Sequence, residues 1–157
     1  MSASLPLVVL LSGPNLDLLG VREPEVYGTA TLEDLVREAG DEAASAGLAL
    51  EHHQSNHEGE LVEHVHTARG RAVAVVVNAG ALSHYSWSLH DALSSFDGVA
   101  VELHLTNPAG REPWRHTSVL APVVDGVIAG FGALGYRLAI VAVARLLAAR
   151  AAGSPPS

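Results

Sequence analysis

Cysteine is absent from the 157 residues, which excludes a disulfide frame, a thiol nucleophile and any thiolate metal site. Lysine is absent too: all nine basic residues are arginine. That rules out a lysine Schiff base and the lysine of a phosphate-binding P-loop. Positive charge is scarce, with nine arginines against seventeen acids leaving a net charge of −8. So acidic a chain is a poor candidate for binding nucleic acid through a basic face, and no nucleic-acid partner is expected. Charged residues amount to 17% and aromatic ones to 4%, while apolar residues reach 48%. This is the composition of one folded domain with a sizeable core. No apolar run reads as a membrane span, because Arg137 and Arg145 interrupt the stretch from Gly126 to Ala149. Leu5 to Leu11 lacks a preceding positive residue and a small-residue cleavage site, so it reads as a buried strand and the protein as cytoplasmic. Chemistry is left to His, Tyr, Arg, Asn, Ser, Thr and the carboxylates.

Short apolar runs alternate with helical patterns. Strands are expected at Pro6–Ser12, Leu48–Gln54, Ala72–Val77, Val99–Leu105 and Val123–Ala129. Helices are expected at Thr31–Ala46, Glu58–Ala68, Ser83–Phe96 and from about Gly132 to Arg150. Thr31, with Asp34 three residues on, is a plausible N-cap. The continuous branched run at Ala72–Val77 suits a parallel strand buried on both faces. Five strands alternating with helices predict a three-layer α/β/α sandwich with a five-stranded parallel sheet, in the flavodoxin-like order 2-1-3-4-5. The expected organisation is a single domain over 1–152, a lid loop over about 16–30, and a disordered tail at 153–157.

Ligands of such sheets sit beyond the carboxyl ends of the strands. Asn15, Gln54, Asn56, Asn78, His104 and Thr106 all fall there, a polar ring drawn from four segments. The loop after the first strand carries Arg22 and Tyr27, close enough for the guanidinium to favour a phenolate. Glu102 and His104 are two apart in a strand and share a face, so the carboxylate can fix the imidazole tautomer and support its protonated form. Asn78 to His84 runs from a strand into a helix that carries Asp91; its glycine allows close backbone approach, and the helix start favours an anion. Arg111 and Arg115 form a basic patch suited to a carboxylate or hydroxyls.

Two tempting motifs fail. Gly130, Gly132 and Gly135 spell G-x-G-x-x-G, but no strand follows to complete a nucleotide fold and no acid follows Asp125 to hold a ribose. Close helix–sheet packing is the better reading. Histidines 52, 53, 57, 64 and 66 do not have metal-ligand spacing, and adjacent His52 and His53 point to opposite sides of a strand.

Six segments together resemble the type II 3-dehydroquinate dehydratases. They are Gly-Pro-Asn-Leu-Asp-Leu-Leu-Gly-Val-Arg-Glu-Pro-Glu-Val-Tyr-Gly (13–28), Gln-Ser-Asn-His-Glu-Gly-Glu-Leu (54–61), Asn-Ala-Gly-Ala-Leu-Ser-His (78–84), Glu-Leu-His-Leu-Thr-Asn (102–107), Arg-Glu-Pro-Trp-Arg-His (111–116) and Gly-Phe-Gly-Ala-Leu-Gly-Tyr (130–136). They stand in the family's order and spacing across almost the whole chain. The resemblance implies dehydration of 3-dehydroquinate to 3-dehydroshikimate in the shikimate pathway, by anti elimination through an enolate, with no metal or organic cofactor. It implies Tyr27 as the base, Arg22 as the lid group that lowers its pKa, and Asn15 as holder of a water at the enolate oxygen. His104 would be the general acid, oriented by Glu102. Asn78 and the backbone amides of Leu105 and Thr106 would hold the carboxylate, and His84 and Arg115 the ring hydroxyls. Arg111 matches a position near the base. Asp91 would reach a neighbouring subunit's site in trimers assembled into a dodecamer.

The chain departs from the family pattern at Ala79, where proline is common, at Thr106 in place of serine, and at His90, where arginine is frequent. These bear on affinity and assembly; none removes a proposed catalytic group. The competing readings are a flavodoxin-like binder of a small anion or flavin, and a structural oligomer with a vestigial mouth. Neither needs the Arg22, Tyr27 and His104 set.

Overall fold

The computed structural model of the chain describes residues 2–153. Its centre is β1 (Leu7–Ser12), buried along all but its first residue. Val8 and Leu10 enter one apolar cluster, and Val9 and Leu11 enter another. A strand that feeds two cores lies inside a sheet covered on both sides. β1 pairs in parallel with β2 (Ala49–Gln54) and β3 (Ala74–Asn78). β4 (Val99–His104) and β5 (Gly126–Ala129) complete the all-parallel sheet, in the expected order 2-1-3-4-5.

Among the described residues, five α-helices accompany the sheet. Besides a single turn, α1 (Pro24–Tyr27), they are α2 (Leu32–Ser45), α3 (Glu58–Ala68), α4 (Trp87–Ser94) and α5 (Leu134–Ala151). Leu35, Ala39 and Ala43 of α2 and Ala139, Ile140 and Val143 of α5 pack on the Val8 and Leu10 side. Leu61 and Val65 of α3 and Leu89 and Leu93 of α4 cover the other. Thr31 and Asp34 form a reciprocal capping box at the start of α2, satisfying two amides the helix leaves open. Among the described residues, no helix is long and apolar enough to cross a membrane.

Three boundaries differ from the sequence expectation. The helix expected at Ser83–Phe96 is two elements: a 3-10 turn (Gly80–His84), then α4. Tyr85 breaks the run with φ −153°, and Ser86 then caps α4 by accepting from the Leu89 amide at 3.2 Å. The strand expected from Val123 begins only at Gly126, because Pro122 sits in a 3-10 turn (Ala121–Val123) while Val123 and Val124 pack on the α3 and α4 side. α5 starts at Leu134, since Gly132 is left-handed with φ +59°. Of the expected tail, Gly153 lies in a turn beyond α5, and 154–157 lie outside the described residues.

Candidate active site

The carboxyl ends of β3 and β4 open on one small cavity of about 40 Å³. It is lined by Tyr27, Asn78, His84, His104, Leu105, Thr106, Arg111 and Arg115, together with Gly80 and Pro108. A larger apolar hollow lies between Pro6, Leu48, Ala144 and Leu147, but no ionisable side chain lines it. The polar cavity is the one that can do chemistry.

The β1 end turns sharply at Gly13. A Cβ there would meet the Ala79 carbonyl oxygen at 2.5 Å, so only glycine lets the first and third strand ends come this close. Asn15 is left-handed with φ +69°, and its amide donates to Asn56 Oδ1 at 2.9 Å. Gln54 Nε2 reaches back to the Gly13 carbonyl at 3.2 Å. The second strand end thus braces the first. Asn15 itself is exposed at the rim and lies outside the cavity lining.

The segment expected to be an aperiodic loop contains a 3-10 turn (Leu16–Leu18) and then α1, which has Pro24 at its start. Four residues are too few to show a helical period. Leu16 and Leu19 anchor this segment in the core, while Val21 is 83% exposed. Tyr27, on α1, is half-buried between two guanidinium groups. The Arg22 carbon lies 5.4 Å and the Arg111 carbon 5.2 Å from the phenol ring centre. Two cations over one phenol are attracted by the negative face of its ring. Arg22 also pairs with Glu23 at 3.2 Å, and Arg111 donates to Thr106 Oγ1 at 3.3 Å.

β4 delivers the second ionisable group. His104 Nε2 lies 2.7 Å from Glu102 Oε1. An ionised carboxylate only accepts, so Nε2 carries the hydrogen and Nδ1 is left for a ligand. Glu102 has no solvent exposure, and its Oε2 has no hydrogen-bond partner. Burial of a carboxylate is costly unless it is paired. Here Oε1 accepts from His104 and also from Ser118 Oγ at 2.6 Å. Ser118 is fixed in turn by the Leu120 and Ala121 amides, each at 3.1 Å.

The rest of the wall is polar. Asn78 Nδ2 donates to the Tyr136 hydroxyl at 3.1 Å, while its Oδ1 accepts from the Gly80 amide at 3.3 Å. The helix start expected here is a 3-10 turn instead (Gly80–His84). His84 Nδ1 donates to the Thr117 carbonyl at 2.8 Å, and burial pulls its pKa below the usual histidine value. The His84 and His104 rings stack with centres 6.2 Å apart. Arg115 lies over Trp114 at 3.9 Å and pairs with Glu112.

Arg22 and Glu102 stand behind the lining groups rather than in the wall. Asp91 is exposed on α4 and lines no cavity of its own chain's site. The glycine motif packs the chain: Gly135 brings α5 to within 3.1 Å of Leu103 Cδ1, measured to the Cβ it lacks. His52 and His53 diverge as expected, one to Ser12 and the other to Glu51 and His64. Among the described residues, no three His, Asp or Glu side chains converge as metal ligands. Sequence reading missed Ser118 and Tyr136. Tyr136 lies in a segment singled out for its glycines, and Ser118 has no local signature, since its partner is 16 residues away.

The chain is similar to proteins of one known family. Residues 6–144 match the family model described as dehydroquinase class II. The chain is 47% identical over 147 residues to a 3-dehydroquinate dehydratase 2 of Pseudomonas putida, covering 94% of this chain and 99% of that one. It is 46% identical over 133 residues to a catabolic 3-dehydroquinase of Penicillium rubens, covering 85% and 86%. The crystal structure of a type II dehydroquinase from Butyrivibrio crossotus superposes with a TM-score of 0.86 at 37% identity, covering 90% of this chain and 99% of the other.

Proposed function

The chain belongs to the class II dehydroquinase family and is a 3-dehydroquinate dehydratase; we propose that it eliminates water from 3-dehydroquinate in the anti sense, through an enolate, to give 3-dehydroshikimate in the shikimate pathway. The observation that carries the mechanism is one cavity holding a phenol under two guanidiniums and an imidazole backed by a buried carboxylate.

The Tyr27 phenolate takes the proton beside the ketone, and the C–H electron pair moves into the enolate. Charge grows on the enolate oxygen, so a donor preorganised there lowers the barrier more than tighter ground-state binding does. Asn15, at the rim, holds the water that serves as that donor. The enolate then re-forms the ketone, the C–O bond to the leaving hydroxyl breaks, and His104 delivers a proton to that oxygen. Water departs, and Tyr27 returns its proton to the medium as His104 regains one. Glu102 orients His104 and stabilises its charged form. Arg22 and Arg111 both favour the Tyr27 phenolate. Asn78 and the amides of Leu105 and Thr106 hold the carboxylate, and His84 and Arg115 the ring hydroxyls. The 16–30 segment acts as a lid. No metal or organic cofactor takes part.

Asp91 completes the site of a neighbouring subunit in a dodecamer of four trimers. Its exposure on α4, away from its own cavity, supports that reading. We place the enzyme in the cytoplasm, a reading that the pairing of Leu7–Ser12 on both edges inside the sheet supports.

The test is the ultraviolet absorbance of the conjugated enone product, with purified protein, 3-dehydroquinate and a chelator. Turnover that resists the chelator supports the reading. No turnover by correctly assembled protein overturns it.

A further inference from the structure

Asn78 has an amide that can stand either way round, and its neighbours decide which. The Gly80 amide donates to Oδ1, so Nδ2 faces the Tyr136 hydroxyl at 3.1 Å. Nδ2 carries two hydrogens. Tyr136 takes one, and the other is left for the cavity that Asn78 lines. Tyr136 is 1% exposed, and burial pushes its phenol up, so the hydroxyl keeps its proton. That proton points to Ser12 Oγ, the longest link at 3.5 Å. Ser12 Oγ lies 2.9 Å from His52 Nε2.

The hydrogens can be followed in one direction: Asn78 to Tyr136, Tyr136 to Ser12, Ser12 to His52. Each hydroxyl accepts one hydrogen and donates one, and the lone pair on His52 Nε2 ends the chain. Burial holds His52 at a pKa of about 4, so the ring is neutral at neutral pH and one of its nitrogens can accept. With a hydrogen on Nε2 instead, Ser12 would donate to a phenol oxygen that already accepts from Asn78. The phenol hydrogen would then be buried without a partner, which is costly.

We propose that Tyr136, backed by Ser12 and His52, is a positioning residue that fixes Asn78 with one amide hydrogen presented to the substrate carboxylate. This rests on the reading of Asn78 given above. The four residues come from β1, β2, β3 and α5, so the relay ties the anion corner to the sheet and to the last helix.

Steady-state kinetics of the intact enzyme test it. The carboxylate sits on the carbon that loses the hydroxyl, but it carries its charge before and after the step, so weakening one of its hydrogen bonds is expected to raise KM more than it lowers kcat. Tyr136→Phe is expected to raise KM about three- to tenfold, the worth of one hydrogen bond, with kcat changed by less than about twofold. In an Asn78→Ala background the same change is expected to have no further effect on KM. His52→Leu gives a smaller rise, and His52→Gln, which keeps an acceptor, stays near wild type. Should Tyr136→Phe not fold, Ser12→Ala and His52→Leu carry the same comparison. Wild-type turnover with unchanged KM in these variants, or an equal rise in both backgrounds, overturns this inference alone. Absence of wild-type turnover overturns the functional reading and this inference with it.

Discussion

Glu102 and His104 meet at 2.7 Å on one face of β4, with the carboxylate sealed from solvent and the imidazole open to the cavity. A side chain two residues away in a strand is the nearest same-face partner the backbone can supply. The carboxylate fixes the ring by accepting from Nε2, and Ser118 fixes the carboxylate. Glu102→Gln keeps the shape but loses the charge that supports an imidazolium. It is expected to lower kcat at least about tenfold, part of the 10²–10⁴ that a positioned general acid contributes. Turnover rates under saturating substrate check this, with KM expected to change little.

The two cations over Tyr27 make separate contributions. Arg22 lies on the same segment as the phenol, and Arg111 arrives from beyond β4. Removing either takes a positive charge from beside the proposed base, so Arg22→Ala and Arg111→Ala are each expected to lower kcat. Steady-state rates of each variant under saturating substrate check this. An unchanged kcat in either variant would contradict it.

Asp91 is exposed on α4 and does not line its own chain's cavity. Mixing Asp91→Ala protomers with Tyr27→Phe protomers under dissociating conditions, and then reassembling them, is expected to restore turnover. A site with intact Tyr27 from one chain then meets an intact Asp91 from its neighbour. If reassembled mixtures stay as inactive as the parents, Asp91 does not serve a neighbouring site.

His52 sets part of the acid stability. Burial first, and the charge of His53 second, lower its pKa from 6.5 to about 4. Between those values the unfolded chain binds more protons than the folded one, so stability falls as pH drops from about 6.5 to about 4 and then levels for this group. His52→Gln removes that contribution. Thermal unfolding midpoints measured from pH 7 to pH 4 are expected to fall less steeply in the variant. His64 and His84, whose pKa values are lowered mainly by burial, remain in both proteins and cancel in the comparison.

Gly13 holds two strand ends together. A methyl group at this position would press on the Ala79 backbone at 2.5 Å, and backbone cannot swing aside as a long side chain can. Gly13→Ala is expected to cost about 1–3 kcal/mol of stability, the usual penalty of overpacking, and to raise KM by displacing Asn78. Chemical denaturation gives the first quantity and steady-state rates the second.

Periodicity in the sequence was enough for the sheet. β1 and β3 are continuous apolar runs, and α3 carries Leu61, Val62 and Val65 on one stripe, so their places follow from local pattern. The errors fall where a short-range constraint overrides pattern. Pro122 diverts Val123 and Val124 from the strand they resemble, and the Tyr85 backbone splits one expected helix in two. In the site, Glu102 and His104 were legible because strand geometry makes residues two apart neighbours. The Arg22–Tyr27 pair was legible through its spacing. Arg111 over Tyr27, Ser118 on Glu102 and Tyr136 on Asn78 join residues 84, 16 and 58 positions apart, and nothing local encodes such contacts.

The most direct test of the account is the enone absorbance of wild type beside Tyr27→Phe, with chelator present and assembly checked by sedimentation. The account predicts rapid turnover by wild type and a collapse of kcat in a variant that still folds, assembles and binds. Turnover surviving in Tyr27→Phe would leave the reaction standing and contradict the central claim that this phenol, between its two guanidiniums, is the base.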